Sequence, residues 1–143
     1  MSRNVIHEIA TSSIDVDAVN AVTLVEGAAT VSLAYGPPDT MPDGTLSVVV
    51  GEATDKTLIT FSGAIGITGG AGYVYVDILL DSVPIDYCYF YYPVAGDATQ
   101  AYHRLLTGLS PATYEVRLEW YTDSGRTAWA YIGRQFSAQV IKR

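Results

Sequence analysis

The sequence predicts an all-β fold: a jelly-roll-like two-sheet sandwich with an N-terminal arm. Three observations predict it. From Thr113 the chain alternates strictly, with Tyr114, Val116, Leu118 and Trp120 on one face and Thr113, Glu115, Arg117 and Glu119 on the other; that is the period-2 pattern of a half-buried strand. Turn residues punctuate the chain roughly every 8–12 positions, which leaves about eight to ten strands, a number that suits two packed sheets. No stretch keeps a 3.6-residue period with caps, and only Thr99 to Leu106 has room for a helical turn. An immunoglobulin-like sandwich is the alternative, but the paired cysteines of true immunoglobulin domains are missing.

Residues 1–19 are the least patterned and read as an arm or edge strand; residues 20–143 form the sandwich domain. Ala21 to Val25 and Ala29 to Tyr35 are β-rich runs separated by Glu26-Gly27, a bulge or tight hairpin. Gly36-Pro37-Pro38-Asp39 ends that unit, and Pro42-Asp43-Gly44 reads as another turn before the alternating Leu46, Val48 and Val50. After Asp55-Lys56, Ile59, Phe61, Ile65 and Ile67 share a face, with Gly63 marking a bend or bulge. Gly69-Gly70-Ala71-Gly72 is a loop with no helix after it and no Lys-Ser/Thr, so it does not cradle phosphate. Tyr73 to Leu80 and Val83 to Tyr92 are strands, and Pro93 to Thr99 is a loop. Asp123-Ser124-Gly125 carries hairpin-turn chemistry, because glycine supplies positive φ. The chain then returns through Thr127 to Ile132, turns at Gly133 and closes with Phe136, Ala138 and Val140 on one face.

The 143 residues are 49% hydrophobic and only 16% charged. So few charges point to a surface partly covered by a partner. The net charge of −7 is unevenly placed: two basic against twelve acidic residues up to His103, six basic against three acidic from Arg104 onward. The acidic bulk excludes a nucleic-acid partner. The opposed ends either neutralise each other within one fold or meet in an assembly. The single cysteine, Cys88, excludes an internal disulfide and sits in an apolar run as a small hydrophobe. No secretory leader is expected at the N-terminus, and no apolar run reaches the roughly 20 residues of a membrane helix.

The sequence offers little chemistry. His7 and His103 lack ligand spacing, the Asp15/Asp17, Asp77/Asp81 and Asp81/Asp86 pairs read as loop and surface residues, and no catalytic motif occurs. The expectation is a non-enzyme with no cofactor and no metal. The tyrosines are more informative. Tyr73 and Tyr75 share one strand face, and Tyr87, Tyr89 and Tyr91 share one face of the next strand. Such residues line a subunit interface, stack on sugar rings, or fill the core. Trp120 belongs with Leu118 in the core, whereas Trp129 alternates with Thr127 and Tyr131 and is a further contact candidate.

The segment His103-Arg104, Gly108-Leu109, Pro111, Thr113-Tyr114, Val116, Leu118, Trp120, then Gly133-Arg134, Phe136, Ala138 and Val140-Ile141, resembles a recurring ending of jelly-roll domains in bacteriophage and prophage virion proteins. Domains of that kind look like the tumour-necrosis-factor and C1q jelly rolls. The resemblance implies a homotrimer that serves as a capsid decoration (cement) protein, a head fibre or a tail part. Its partners would be itself and the phage capsid or other virion proteins, and its place the virion after synthesis in the host cytoplasm. The short chain, with no coiled-coil or fibre repeat, favours a compact decoration protein. The alternative is a tail receptor-binding or carbohydrate-binding module that meets host-surface glycan through the tyrosines. The resemblance carries over no functional residue.

Overall fold

The structure is a computed structural model that describes residues 21–142. The N-terminal arm, with His7 and the Asp15/Asp17 pair, lies outside the described residues. Ten strands follow one another: β1 (Ala21–Glu26), β2 (Val31–Ala34), β3 (Asp39–Val50), β4 (Lys56–Thr68), β5 (Gly72–Leu80), β6 (Val83–Tyr92), β7 (Gly96–Thr107), β8 (Ala112–Thr122), β9 (Thr127–Ala130) and β10 (Gln135–Ile141).

They pair antiparallel in two sheets. The first runs β1-β10-β4-β9-β2 with β7 on the other edge of β4, and the second runs β3-β8-β5-β6. β10 and β9 lie end to end along β4, covering Lys56–Ser62 and Ile65–Thr68. β1 and β2 repeat that arrangement one strand further out. Each sheet is therefore four strands wide, and together they form the expected jelly-roll-like sandwich.

The alternation sets the core. Leu46, Val48 and Val50 of β3, Ile59, Phe61, Ile65 and Ile67 of β4, Val74, Val76 and Ile78 of β5, and Val116, Leu118 and Trp120 of β8 are all buried between the sheets. Phe136, Ala138 and Val140 of β10 join them. Each large apolar side chain so buried contributes about 1.5–3 kcal/mol.

Several local expectations are corrected. Glu26-Gly27 makes no hairpin: β1 pairs with β10 and β2 with β9. Pro42-Asp43-Gly44 is no turn between strands but a bulge inside β3, where the register shifts between Thr40 and Thr45 and Asp43 takes a φ of 58°. Gly133, by contrast, does sit in a turn between β9 and β10, at a φ of 81°. Thr99 to Leu106 is strand, part of the twelve-residue β7. The loop read as Pro93 to Thr99 ends at Ala95, where β7 begins. Its edge position explains both misreadings, since most β7 side chains face water and the alternation is blurred. Asp123-Ser124-Gly125 does turn the chain, with the Arg126 amide donating to the Asp123 carbonyl (3.1 Å). The turn is not a hairpin, because β8 belongs to the second sheet and β9 to the first.

One buried guanidinium explains three of the irregularities. Arg134, 3% exposed, donates from Nη1 to the Ala29 (2.7 Å) and Tyr131 (3.2 Å) carbonyls. Its Nη2 donates to the Pro42 carbonyl (2.6 Å) and meets Asp43 Oδ2 at 3.3 Å. A Cβ on Gly27 would lie 2.5 Å from Arg134 Nη1, and one on Gly63 2.5 Å from Arg134 Cβ. Gly63 therefore marks close approach rather than a bulge; β4 keeps its register with β7 through it.

Candidate functional site

β5 and β6 are joined by Asp81-Ser82, both at positive φ, a two-residue connection of the kind that sets strand register. That register places Tyr73 opposite Tyr91, Tyr75 opposite Tyr89 and Asp77 opposite Tyr87. Since Val74, Val76 and Ile78 face the core, all five tyrosines point outward on one face of the second sheet. Tyr87, Tyr89 and Tyr91 are 63%, 57% and 55% exposed, which removes the core-filling reading for them. Tyr73 and Tyr75 are half-buried beneath their neighbours.

The rings pack as a continuous array. Tyr73 and Tyr91 have centroids 4.8 Å apart, Tyr73 and Tyr89 meet edge-on at 5.7 Å, and Tyr87 and Tyr89 are 6.5 Å apart. A sixth ring joins from β8. Tyr121 lies opposite Tyr75 in the register and stacks on it at 4.7 Å with 9° between planes. Such cross-strand aromatic pairs stabilise a sheet by up to about 1 kcal/mol each. Sequence reasoning missed Tyr121. The alternation already placed it outward with Glu115, Arg117 and Glu119, but only the strand order brings it beside Tyr75. Trp129 does not belong to this array. It lies on β9 in the other sheet, half-buried, with Nε1 donating to Thr68 Oγ1 (3.5 Å).

Carboxylates rim the rings. Asp123 accepts the Tyr73 amide (2.7 Å) and the Tyr75 hydroxyl (3.3 Å). Burial, then the Asp123 charge and its hydrogen bond, raise the Tyr75 phenol above its ordinary value. Asp77 lies between Tyr87 on β6 and Glu119 on β8. Rather than lying free in solvent it is half-buried, and burial followed by repulsion from Glu119 raises its carboxyl. Among the described residues the Asp77 carboxylate has no hydrogen-bond or ion-pair partner. An open depression of about 490 Å³ begins there, lined by Asp77, Pro84, Ile85, Asp86, Tyr87 and Tyr121.

The other ionisable groups read from the sequence are dispersed. Asp81 sits in the β5–β6 turn, where its Oδ1 accepts the Glu115 amide (2.8 Å). Asp86 turns to the sandwich edge, accepting the Tyr102 hydroxyl and pairing with Arg104 Nε (3.2 Å) on β7. Those contacts, the Tyr102 bond foremost, hold its carboxyl below the ordinary value despite its burial. Cys88 points inward and burial pushes its thiol up to about 12, so it carries no thiolate at neutral pH. His103 is exposed on β7 opposite Thr60. No group of three or more possible metal ligands occurs among the described residues.

No family model and no curated protein matches the sequence. Solved structures do match. The Eiger TNF from S. frugiperda superposes with a TM-score of 0.52 at 12% identity, over 87% of this chain and 93% of its own. A chain in the structure of infectious bursal disease virus, Gt strain, gives a TM-score of 0.50 at 14% identity. That match covers 86% of this chain and 32% of the viral one. The fold shared with both is a jelly-roll-like sandwich. At such identities the likeness is one of architecture, and the function must be argued from the surfaces.

Proposed function

We propose that the protein is a non-enzymatic structural protein of a bacteriophage virion, a homotrimer that binds the capsid surface as a decoration protein. The observation that carries this reading is the outer face of the first sheet. Registered rows cross it: Val22, Gln139, Leu58 and Leu105, then Leu24, Ser137, Thr60 and His103. These two rows are apolar or uncharged apart from His103, with Lys56 and Glu26 further out on the same face, and Val22, Leu24 and Leu105 stand out of them 59%, 55% and 46% exposed. Each exposed leucine gains by leaving water, and a broad low-charge sheet face can supply the roughly 800 Å² per partner that a stable interface buries. The jelly-roll likeness to a TNF and to a chain of a virus structure supports the same reading.

The test is light scattering coupled to size exclusion over a dilution series, followed by co-sedimentation with heads of the phage that encodes the chain. A stable trimer that pellets with heads is expected. A monomer at all concentrations, or a trimer that stays in the supernatant, would sink the decoration reading. The exposed tyrosine array favours a second reading, a tail receptor-binding or carbohydrate-binding module, which predicts glycan binding that Tyr89→Ala removes while leaving assembly intact.

A further inference from the structure

The tyrosine face differs from the outer face of the first sheet in one respect that matters for recognition: its charge. Glu115, Glu119, Asp77 and Asp123 accompany the rings, and Arg117 is the cation on the same β8 face. Arg117 is already engaged by Glu119 (3.1 Å) and Glu115 (3.5 Å). Asp123 is engaged by Tyr73 and Tyr75, and Asp86 by Tyr102 and Arg104. That leaves Asp77 as a half-buried carboxylate facing the open depression, with the Tyr87 and Tyr121 rings beside it and Glu119 across the strand pair. A carboxylate withdrawn from water without a counter-ion is costly, and an arriving cation relieves that cost. Aromatic walls strengthen the preference, because the negative ring faces attract guanidinium and ammonium groups. The face also lacks what a sugar site uses: none of its strands' outward positions among β3, β5, β6 and β8 holds an Asn or Gln.

We propose that the depression bounded by Asp77, Tyr87 and Tyr121 is a socket for a basic side chain, and that the tyrosine face docks an arginine- or lysine-bearing segment of a partner protein. The carboxylate of Asp77 pairs with the incoming cation, Tyr87 and Tyr121 flank its aliphatic stem, and Glu119 adds long-range attraction. Tyr89 and Tyr91 extend the surface for the residues that follow along the segment. The proposal rests on the reading above that the subunits meet through the opposite sheet, which leaves the tyrosine face in solvent.

The test is a heteronuclear NMR titration of the full chain with a tetra-arginine peptide, using tetra-glutamate and chitotetraose as comparators. Tetra-arginine should shift the ring signals of Tyr87 and Tyr121 first, with no response to the comparators. Asp77→Asn, which preserves shape, should weaken tetra-arginine at least five-fold. Asp97→Asn on β7, which removes the same unit of charge elsewhere, should leave it unchanged. Equal weakening by both variants would mean general attraction to an acidic protein and would overturn the socket. So would tyrosine shifts with chitotetraose alone, which would return this face to the glycan reading. Because Asp77→Asn relieves a repulsion, it should fold, and its dispersed amide spectrum verifies that in the same experiment.

Discussion

At Arg134 a single guanidinium ties three segments together, those carrying Ala29, Pro42 with Asp43, and Tyr131. These carbonyls lie where β1 gives way to β2, where β3 bulges and where β9 gives way to β10, so their hydrogen-bonding groups have no complete ladder to join. Arg134→Ala leaves buried acceptors unpaired and a cavity behind, at a cost of about 3–5 kcal/mol. For a chain of this size that should lower the melting temperature by about 10 °C. Gly27 offers an internal check. Its added Cβ would strike the distal atoms of Arg134, so Gly27→Ala should cost about 1–3 kcal/mol in the natural background. In the Arg134→Ala background those atoms are gone, and the same change should cost little. Urea unfolding of the four variants measures this coupling; simple additivity would mean that the two residues do not share the space.

Two carboxylates on neighbouring strands, Asp86 on β6 and Asp77 on β5, sit in different environments and predict opposite responses to pH. Asp86, on β6 itself, has its folded value lowered by Tyr102, the Tyr87 amide and Arg104. Its contribution is therefore present above the unfolded value of about 4 and is lost as pH falls through the folded one. Asp86→Asn should destabilise the protein by about 1 kcal/mol at pH 7 and make progressively less difference in acid. Asp77, facing β6 from β5, has its folded value raised by burial and Glu119. Its stability is full below the unfolded value and declines as pH rises through the folded one, so Asp77→Asn should stabilise at pH 7 and be neutral near pH 3. Denaturant titrations of both variants at the two pH values check the signs; two variants shifting in the same direction would refute the assignment of either environment. The elements themselves were legible to different degrees. β5, β6 and β8 could be read from their alternation because one face is core and the other is tyrosine or charge. β7 could not, since an edge strand buries few side chains and its pairing with β4 is a long-range fact. The five tyrosines were legible as two strand faces, while Tyr121 and the Asp77 depression required the order β8-β5-β6. Gly27 and Gly63 were visible as irregularities, but their cause, a buried arginine more than seventy positions away, was not.

For the whole molecule, the uneven charge of the chain is partly resolved inside one fold. Arg104 pairs with Asp86 and Arg134 with Asp43, so the basic C-terminal part neutralises the acidic part across the sandwich. What remains unmatched is the contrast between its two outer faces. The middle rows of the first sheet present leucine, valine, threonine, serine, glutamine and His103, with Glu26, Lys56 and Asp97 toward its ends; the second presents tyrosines and carboxylates. Three copies joined through the second face would bring Asp77 and Glu119 of each subunit toward those of its neighbours, and like charges so desolvated repel. Joined through the middle rows of the first face they bury mainly uncharged side chains. Leu24→Glu and Leu105→Glu should therefore each reduce the proposed trimer to monomer at micromolar concentration, whereas Tyr89→Ala should leave its mass unchanged. Because association stabilises the folded state by mass action, the melting temperature of the natural chain should rise with concentration, and that of Leu105→Glu should not. The reverse pattern, with assembly lost in Tyr89→Ala and kept in Leu105→Glu, would move the subunit contact to the tyrosine face and take the socket at Asp77 out of solvent.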